Sequence, residues 1–129
     1  MIFLDTSAIY ALADTRDSNH DLAVDLFQHV LESGEGILAH SYILVEAAAL
    51  LQRRLSLDSS LRFLRDSAAF QVHWIEAGDH QRAVSLLEER GRRGLSLVDC
   101  VSFVVMRRYD VEKALAFDPD FEREGFVLY

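Results

Sequence analysis

Short apolar runs alternate along this chain with longer stretches whose apolar residues recur at helical spacing. Ile2-Phe3-Leu4 ends at Asp5-Thr6-Ser7, as in a buried strand whose carboxyl end delivers polar groups into a turn before a helix. From Asp17 to Ser33 the apolar positions Leu22, Val24, Leu26, Phe27, Val30 and Leu31 follow helical spacing, with Ser18 or Asp17 as cap and Gly34 as stop. Residues 36–39 read as a second strand, followed by Ser41 as cap of an alanine-rich helix from Tyr42 to Leu55. A helix over Ser56 to Ala69, a strand over Phe70 to Ile75 and an amphipathic helix over Asp79 to Arg90 come next, the last ending near Gly91 and Gly94. Ser96-Leu97-Val98-Asp99 resembles a capping box and opens a helix to about Arg108. Lys113 to Phe117 and Phe126 to Tyr129 supply two further strands, with Asp118-Pro119-Asp120-Phe121 between them.

This alternation predicts an α/β fold, a three-layer α/β/α sandwich around a mostly parallel sheet. Any ligand site is then expected beyond the carboxyl ends of the strands. The chain of 129 residues is expected to form one domain over residues 1–129, since that length suffices to bury roughly two-thirds of the unfolded surface. No repeat or linker interrupts the pattern.

Composition removes several possibilities. The single Cys100 has no disulfide partner, and no Cys/His group has structural zinc spacing, so a reducing cytoplasm is the expected setting. The opening residues lack the basic region and long apolar stretch of a secretion signal, and no apolar run approaches the ~20 residues of a membrane span. The net charge of -8 argues against a protein that grips nucleic acid through a general basic field, although acids clustered around cations would make that count overstate the repulsion felt by a phosphate.

The acids carry the chemistry. Asp5 and Asp118 each follow a strand, so parallel strands would bring both to one sheet edge. Asp99 lies in the first turn of one helix and Glu46 near the start of another. Taken singly, Asp99 is an ordinary helix-start acid and Asp118 an ordinary turn residue. Glu46 is stranger, because the apolar neighbours Tyr42 to Val45 and Ala47 to Leu51 predict a buried charge in need of a partner. Four carboxylates within ~5 Å would repel at about 3 kcal/mol per pair at an effective dielectric near 20, so together they require protons or cations. All-oxygen ligands favour Mg²⁺ or Mn²⁺ over zinc, and such ions suit hydrolysis of a phosphodiester without a side-chain nucleophile. Thr6, Ser7 or Ser96 would orient a carboxylate or a bound water.

These residues resemble the PIN-domain ribonucleases, especially the VapC-like toxins of bacterial and archaeal toxin-antitoxin pairs. The resemblance rests on Ile-Phe-Leu-Asp-Thr-Ser-Ala at 2 to 8, on Glu46 after Ser41, on Ser-Leu-Val-Asp-Cys at 96 to 100, and on Ala-Phe-Asp-Pro-Asp-Phe from 116 followed by Gly125-Phe126. It implies an acidic core of Asp5, Glu46 and Asp99 with Asp118 as fourth member, one or two Mg²⁺ or Mn²⁺ ions, an RNA substrate, a homodimer and a small antitoxin whose C-terminal segment covers the active site. Asp120 competes with Asp118 for the fourth place, and Ala116 stands where the family often has Thr. Candidate RNA contacts are Arg53, Arg54, Arg92, Arg93, Arg107 and Arg108, each of which also reads as a solvated helix end.

Other classes fit less well. A phosphate-accepting receiver would want a Lys after a late strand, but the one lysine, Lys113, precedes its strand; a haloacid-dehalogenase-like phosphatase would want an acid where Ser7 stands. A non-catalytic PIN-like module binding RNA or protein and a structure-specific DNA nuclease remain as alternatives. His20, His29, His40, His73 and His80 read as surface or helix residues, Trp74 as core and Cys100 as helix packing.

Overall fold

The computed structural model describes residues 1–129. The strands are β1 (Ile2–Leu4), β2 (Ile37–His40), β3 (Gln71–His73), β4 (Lys113–Leu115) and β5 (Val127–Leu128). The helices are α1 (Thr6–Ala13), α2 (His20–Ser33), α3 (Ser41–Arg54), α4 (Leu57–Asp66), α5 (Ala77–Arg90), α6 (Leu97–Arg108) and α7 (Asp120–Arg123), with a 3-10 turn at Ser67–Ala69. The sheet order is β3-β2-β1-β4-β5 and every pairing is parallel.

Parallel pairing follows from the sequence, because Ile2, Phe3, Leu4, Leu38 and Ala39 have no polar face to offer water and are all buried. Phe3 stacks on His40 and meets Phe121, while Phe103 packs edge-on against Phe121 and in parallel with Phe126, so the aromatic core ties α6 and α7 to the sheet. Right-handed crossovers from β1 through β2 to β3 put α1 to α4 on one face. The chain then returns past β1 to β4, which puts α5 and α6 on the other. β1 and β4 therefore flank the point where the strand order reverses, the place where open parallel sheets hold their ligands.

Several local expectations change. Asp5 is itself the N-cap of α1, so a short helix begins directly at the strand end and precedes α2. The cap of α2 is Asn19, without a side-chain bond; Asp17 instead accepts from the Asn19 N–H at 2.8 Å. His40, not Ser41, caps α3, its Nδ1 accepting from the Ile43 N–H at 3.3 Å. Ser41 Oγ accepts from the Ile75 N–H at 2.9 Å and so ties α3 to the segment after β3. α5 starts two residues before Asp79, with Glu76 and Asp79 forming its capping box. Trp74 is 69% exposed, because it lies beyond the last paired residue of β3 and outside the core. His40 and His73 are buried, since they end β2 and β3 side by side beneath α5 and α6. No helix is long and apolar enough to cross a membrane.

Candidate active site

Asp5 leaves β1 at the reversal point, its N–H bonded to the Leu115 carbonyl of β4 at 3.1 Å. Only 5% of it is exposed. Ser7 fixes its orientation: the Ser7 N–H and Oγ–H both donate to Asp5 Oδ2, at 3.1 and 2.6 Å, and Ser7 Oγ in turn accepts from the Phe117 N–H at 2.9 Å. One hydroxyl thus locks the acid after β1 to the chain leaving β4.

Asp99 is the third residue of α6. Its Oδ2 accepts from the Ser96 N–H at 3.0 Å while its own N–H donates to Ser96 Oγ at 3.0 Å, a reciprocal capping box that makes Ser96 a cap. Asp118 Oδ1 accepts from the Asp120 N–H at 2.9 Å. In all three acids, one carboxylate oxygen is held by the chain and the other has no protein partner. Carboxylate oxygens of Asp99, Asp118 and Asp120 lie within 4.8 Å of one another.

The electrostatics follow from this crowding. Burial pushes the Asp5 carboxyl up to about 6, against the opposing Ser7 hydrogen bonds, and Asp99 and Asp118 raise it further. Burial also raises Asp99, with Asp118 and Asp120 adding to the effect. No lysine or arginine offsets Asp5. Thr6 Oγ1, beside it, is the buried side-chain atom that has no hydrogen-bond partner. Buried Asp5 beside the half-buried Asp99 and Asp118, each with a free oxygen and each repelling the others, fits a hard divalent cation, which would relieve the repulsion and use the oxygens the chain leaves open.

Two of the other sequence-marked positions stand differently. Glu46 is exposed on α3, so its charge is not buried as its apolar neighbours had suggested; the helix turns it outward between Val45 and Ala49, which are exposed as well. Neither it nor Asp5 is among the oxygens of Asp99, Asp118 and Asp120 that lie within 4.8 Å of one another, although Asp5 is near enough for Asp99 and Asp118 to raise its carboxyl. Asp120 is buried, and its Oδ1 accepts from both Arg92 and Arg123, each at 3.0 Å. Among the candidate RNA contacts, Arg107 is paired with Glu124 and Arg108 with Asp79, while Arg54 lies over the Tyr10 ring at 5.5 Å.

A second polar group was missed in the sequence. His73 Nε2 lies 2.7 Å from Asp79 Oδ2 and its Nδ1 lies 2.9 Å from the Tyr109 hydroxyl, while Arg108 donates to Asp79 Oδ1 at 3.0 Å. The available signal was the Glu76-x-x-Asp79 spacing of a capping box; the long-range partners from α6 left none.

The PIN-domain family model matches residues 2–127. VapC20 of Mycobacterium tuberculosis, named a 23S rRNA-specific endonuclease, is 33% identical over 129 residues, covering 98% of this chain and 96% of that protein. The crystal structure of VapC20, described as a sarcin-ricin loop cleaving toxin, aligns with a TM-score of 0.86 at 31% identity over 98% of this chain and 97% of that one. VapBC2 from Rickettsia felis, bound to a DNA fragment from its promoter, has a TM-score of 0.73 at 13% identity over 100% and 98% of the two chains, a likeness of fold alone. The all-parallel sheet, the acids at its reversal point and these matches agree: the chain belongs to the PIN-domain family, in its VapC-like branch.

Proposed function

We propose that this chain is a single PIN domain acting in the cytoplasm as a metal-dependent endoribonuclease, the toxin of a toxin-antitoxin pair. The observation that carries the reading is Asp5: almost fully buried at the sheet's reversal point, raised to about 6, facing Asp99 and Asp118, and without a cation from the protein. Asp5, Asp99 and Asp118 would hold Mg²⁺ or Mn²⁺ through their free oxygens. Glu46, exposed on α3, is the fourth proposed member. When bound, such an ion supplies an acidified water and neutralises charge on a phosphodiester undergoing in-line displacement.

The chain's own part is positional. Ser7 keeps Asp5 turned so that its unpartnered oxygen is presented, and Ser96 does the same for Asp99 through its backbone N–H. The Asp120 N–H holds Asp118. Pre-set carboxylates need no reorganisation when substrate arrives.

RNA is the proposed substrate, with a structured ribosomal loop as the first to try because VapC20 is named for cutting 23S rRNA. An antitoxin partner and a homodimer belong to the same proposal; VapBC2 is among the structural relatives. The test is cleavage of a 23S rRNA loop fragment and a mixed pool of structured RNAs with Mg²⁺, Mn²⁺ or EDTA, beside Asp5→Asn and Asp99→Asn. Cutting that EDTA and both substitutions abolish supports the reading. Cutting indifferent to all three overturns it.

A further inference from the structure

An acidic protein with an acidic site must still hold a polyanion next to that site, and the net charge of -8 provides no general field for doing so. One local arrangement provides the attraction. Arg92, in the connection between α5 and α6, and Arg123, in α7, converge from separate segments on a single oxygen, Asp120 Oδ1. Each guanidinium nitrogen lies 3.0 Å from that oxygen, so the two are at most twice that distance apart. Two cations do not approach so closely without an anion between them, and Asp120, buried and anchored at the start of α7, is that anion.

The arginines have capacity to spare. Each uses only Nη1 on Asp120, leaving Nε and Nη2 without a protein partner, and their side chains are 38% and 61% exposed. By contrast, Arg90 holds the Glu124 carboxylate through both Nε and Nη2, and Arg107 reaches its Oε2 and its carbonyl through Nη2; the Glu124 side chain is 3% exposed, and both arginines serve to fasten the end of α7. The carboxylate that gathers Arg92 and Arg123 also lies within 4.8 Å of Asp99 and Asp118 oxygens. Open guanidinium donors therefore stand one residue away from the acids proposed to carry out cleavage. Guanidinium forks match phosphate oxygens and are the usual means of fixing a nucleic-acid backbone without reading its sequence.

We propose that Asp120 gathers Arg92 and Arg123 into a clamp for the RNA phosphate adjacent to the one that is cut. This inference rests on the nuclease reading above. It gives Asp120 a task distinct from that of Asp118: its charge is met by the chain's own arginines, and it positions them. The Asp120 side chain thus organises substrate binding while its N–H holds Asp118.

The experiment uses the full chain with Asp5→Asn as a non-cutting background for binding of a single-stranded RNA across a salt series, and the wild-type background for kinetics. Arg92→Ala, Arg123→Ala and the double substitution are compared with Arg62→Ala, an exposed arginine on α4 paired only with Asp58. The double substitution is expected to weaken RNA binding about 10-fold and to lower the salt slope by ~0.7, the signature of one lost phosphate contact on a single strand. KM is expected to rise with kcat changed less than threefold, and Mn²⁺ affinity to stay within threefold of wild type. Arg92→Lys with Arg123→Lys, which keeps charge and the tether to Asp120, should restore the salt slope but only part of the affinity. An unchanged slope and KM in the double alanine variant, with wild-type RNA binding intact, overturns the clamp alone. A fall in kcat and Mn²⁺ affinity without a change in slope also overturns it, in favour of a purely structural tie. A wild-type protein that neither binds nor cuts RNA overturns the clamp and the nuclease reading together.

Discussion

At the carboxyl end of β3, Asp79 is fully buried and meets cations that the chain itself supplies. At the carboxyl end of β1, Asp5 is nearly as buried and meets none. Burial would raise both carboxyls. In Asp79 that effect is overcome by hydrogen bonds from His73, the Glu76 N–H and Arg108, which bring it down to about 2, whereas in Asp5 the Ser7 bonds are too few and the group stays near 6. The same residue type, on the same edge of one sheet, is held ionised where the fold provides the counter-charge and pushed toward its protonated form where the fold withholds it. His73, Glu76 and Asp79 also have a metal-like spacing, yet Arg108 already occupies the place a cation would take. Clustering alone therefore does not mark a metal site; what distinguishes the proposed one is Asp5, a buried acid to which the protein offers no cation.

The largest way to break this comparison is Asp79→Ala. Removing one partner of a buried ionic group leaves His73 and Arg108 uncompensated and is expected to cost about 3–5 kcal/mol of stability in chemical denaturation, with RNA cleavage retained below the unfolding transition. A loss under about 1 kcal/mol would mean that Asp79 is not structural. Asp5→Asn should do the reverse. Cleavage is expected to fall by more than the roughly 10- to 100-fold typical of an outer partner of a metal site. Stability of the metal-free protein should rise by roughly 1–3 kcal/mol, because a carboxyl raised to about 6 is ionised against the fold's preference at pH 7. Unaltered cleavage, or a destabilised Asp5→Asn protein, would remove the distinction between the clusters.

How far these clusters could be read from the sequence depends on the range of their contacts. β1 with Asp5 at its end, α3, and α6 with its Ser96-Asp99 cap are local patterns, and the parallel order follows from their alternation. Asp5 and Asp118 could be placed at one edge because strand ends in a parallel sheet converge, whereas Asp99, in the first turn of α6, joins them only through where that helix begins. Glu46 misled as to burial because apolar neighbours fix only the mean polarity of a helix, and α3 exposes Val45 and Ala49 as well. Arg108 lies 29 residues from Asp79 and Tyr109 lies 36 from His73, and no periodicity records such pairings. Arg123 was passed over for the same reason: its neighbour Arg92 is distant in sequence, and the two meet only through Asp120.

The opposite shifts of the two acids also sharpen the comparison through pH. Asp79 has its folded value depressed from 3.8 to about 2, so its contribution is present above about pH 4 and is lost as pH falls toward 2, amounting to about 2 kcal/mol. Asp5 has its folded value raised from 3.8 to about 6, so the metal-free fold gains stability as pH falls from above 6 toward 4. Across pH 2–8 these contributions add to a third from buried His40, whose imidazole burial holds down to about 3 and which therefore costs stability as pH falls below about 6.5, so the two acids are read as differences from the wild type. In Asp5→Asn the net loss between pH 7 and 4 should be larger than in the wild type, whereas in Asp79→Asn the loss below pH 4 should be smaller. A profile that is the same in all three proteins would separate neither cluster from the other.

Adding the ion makes the smallest but most selective distinction. A ligand bound by the folded state alone stabilises by RT ln(1 + [L]/Kd), about 1.4 kcal/mol at ten times the dissociation constant. Mn²⁺ should therefore raise the denaturation midpoint of the wild-type protein, flatten the pH dependence contributed by Asp5 by favouring its ionised form, and do neither in Asp5→Asn. In Asp79→Asn the increment should persist in full on a lower baseline, because Arg108 rather than an external ion serves that cluster. If Mn²⁺ instead stabilised Asp5→Asn as much as the wild type and lost its effect in Asp79→Asn, the ion would belong to the His73 group and the assignment of the two clusters would have to be exchanged.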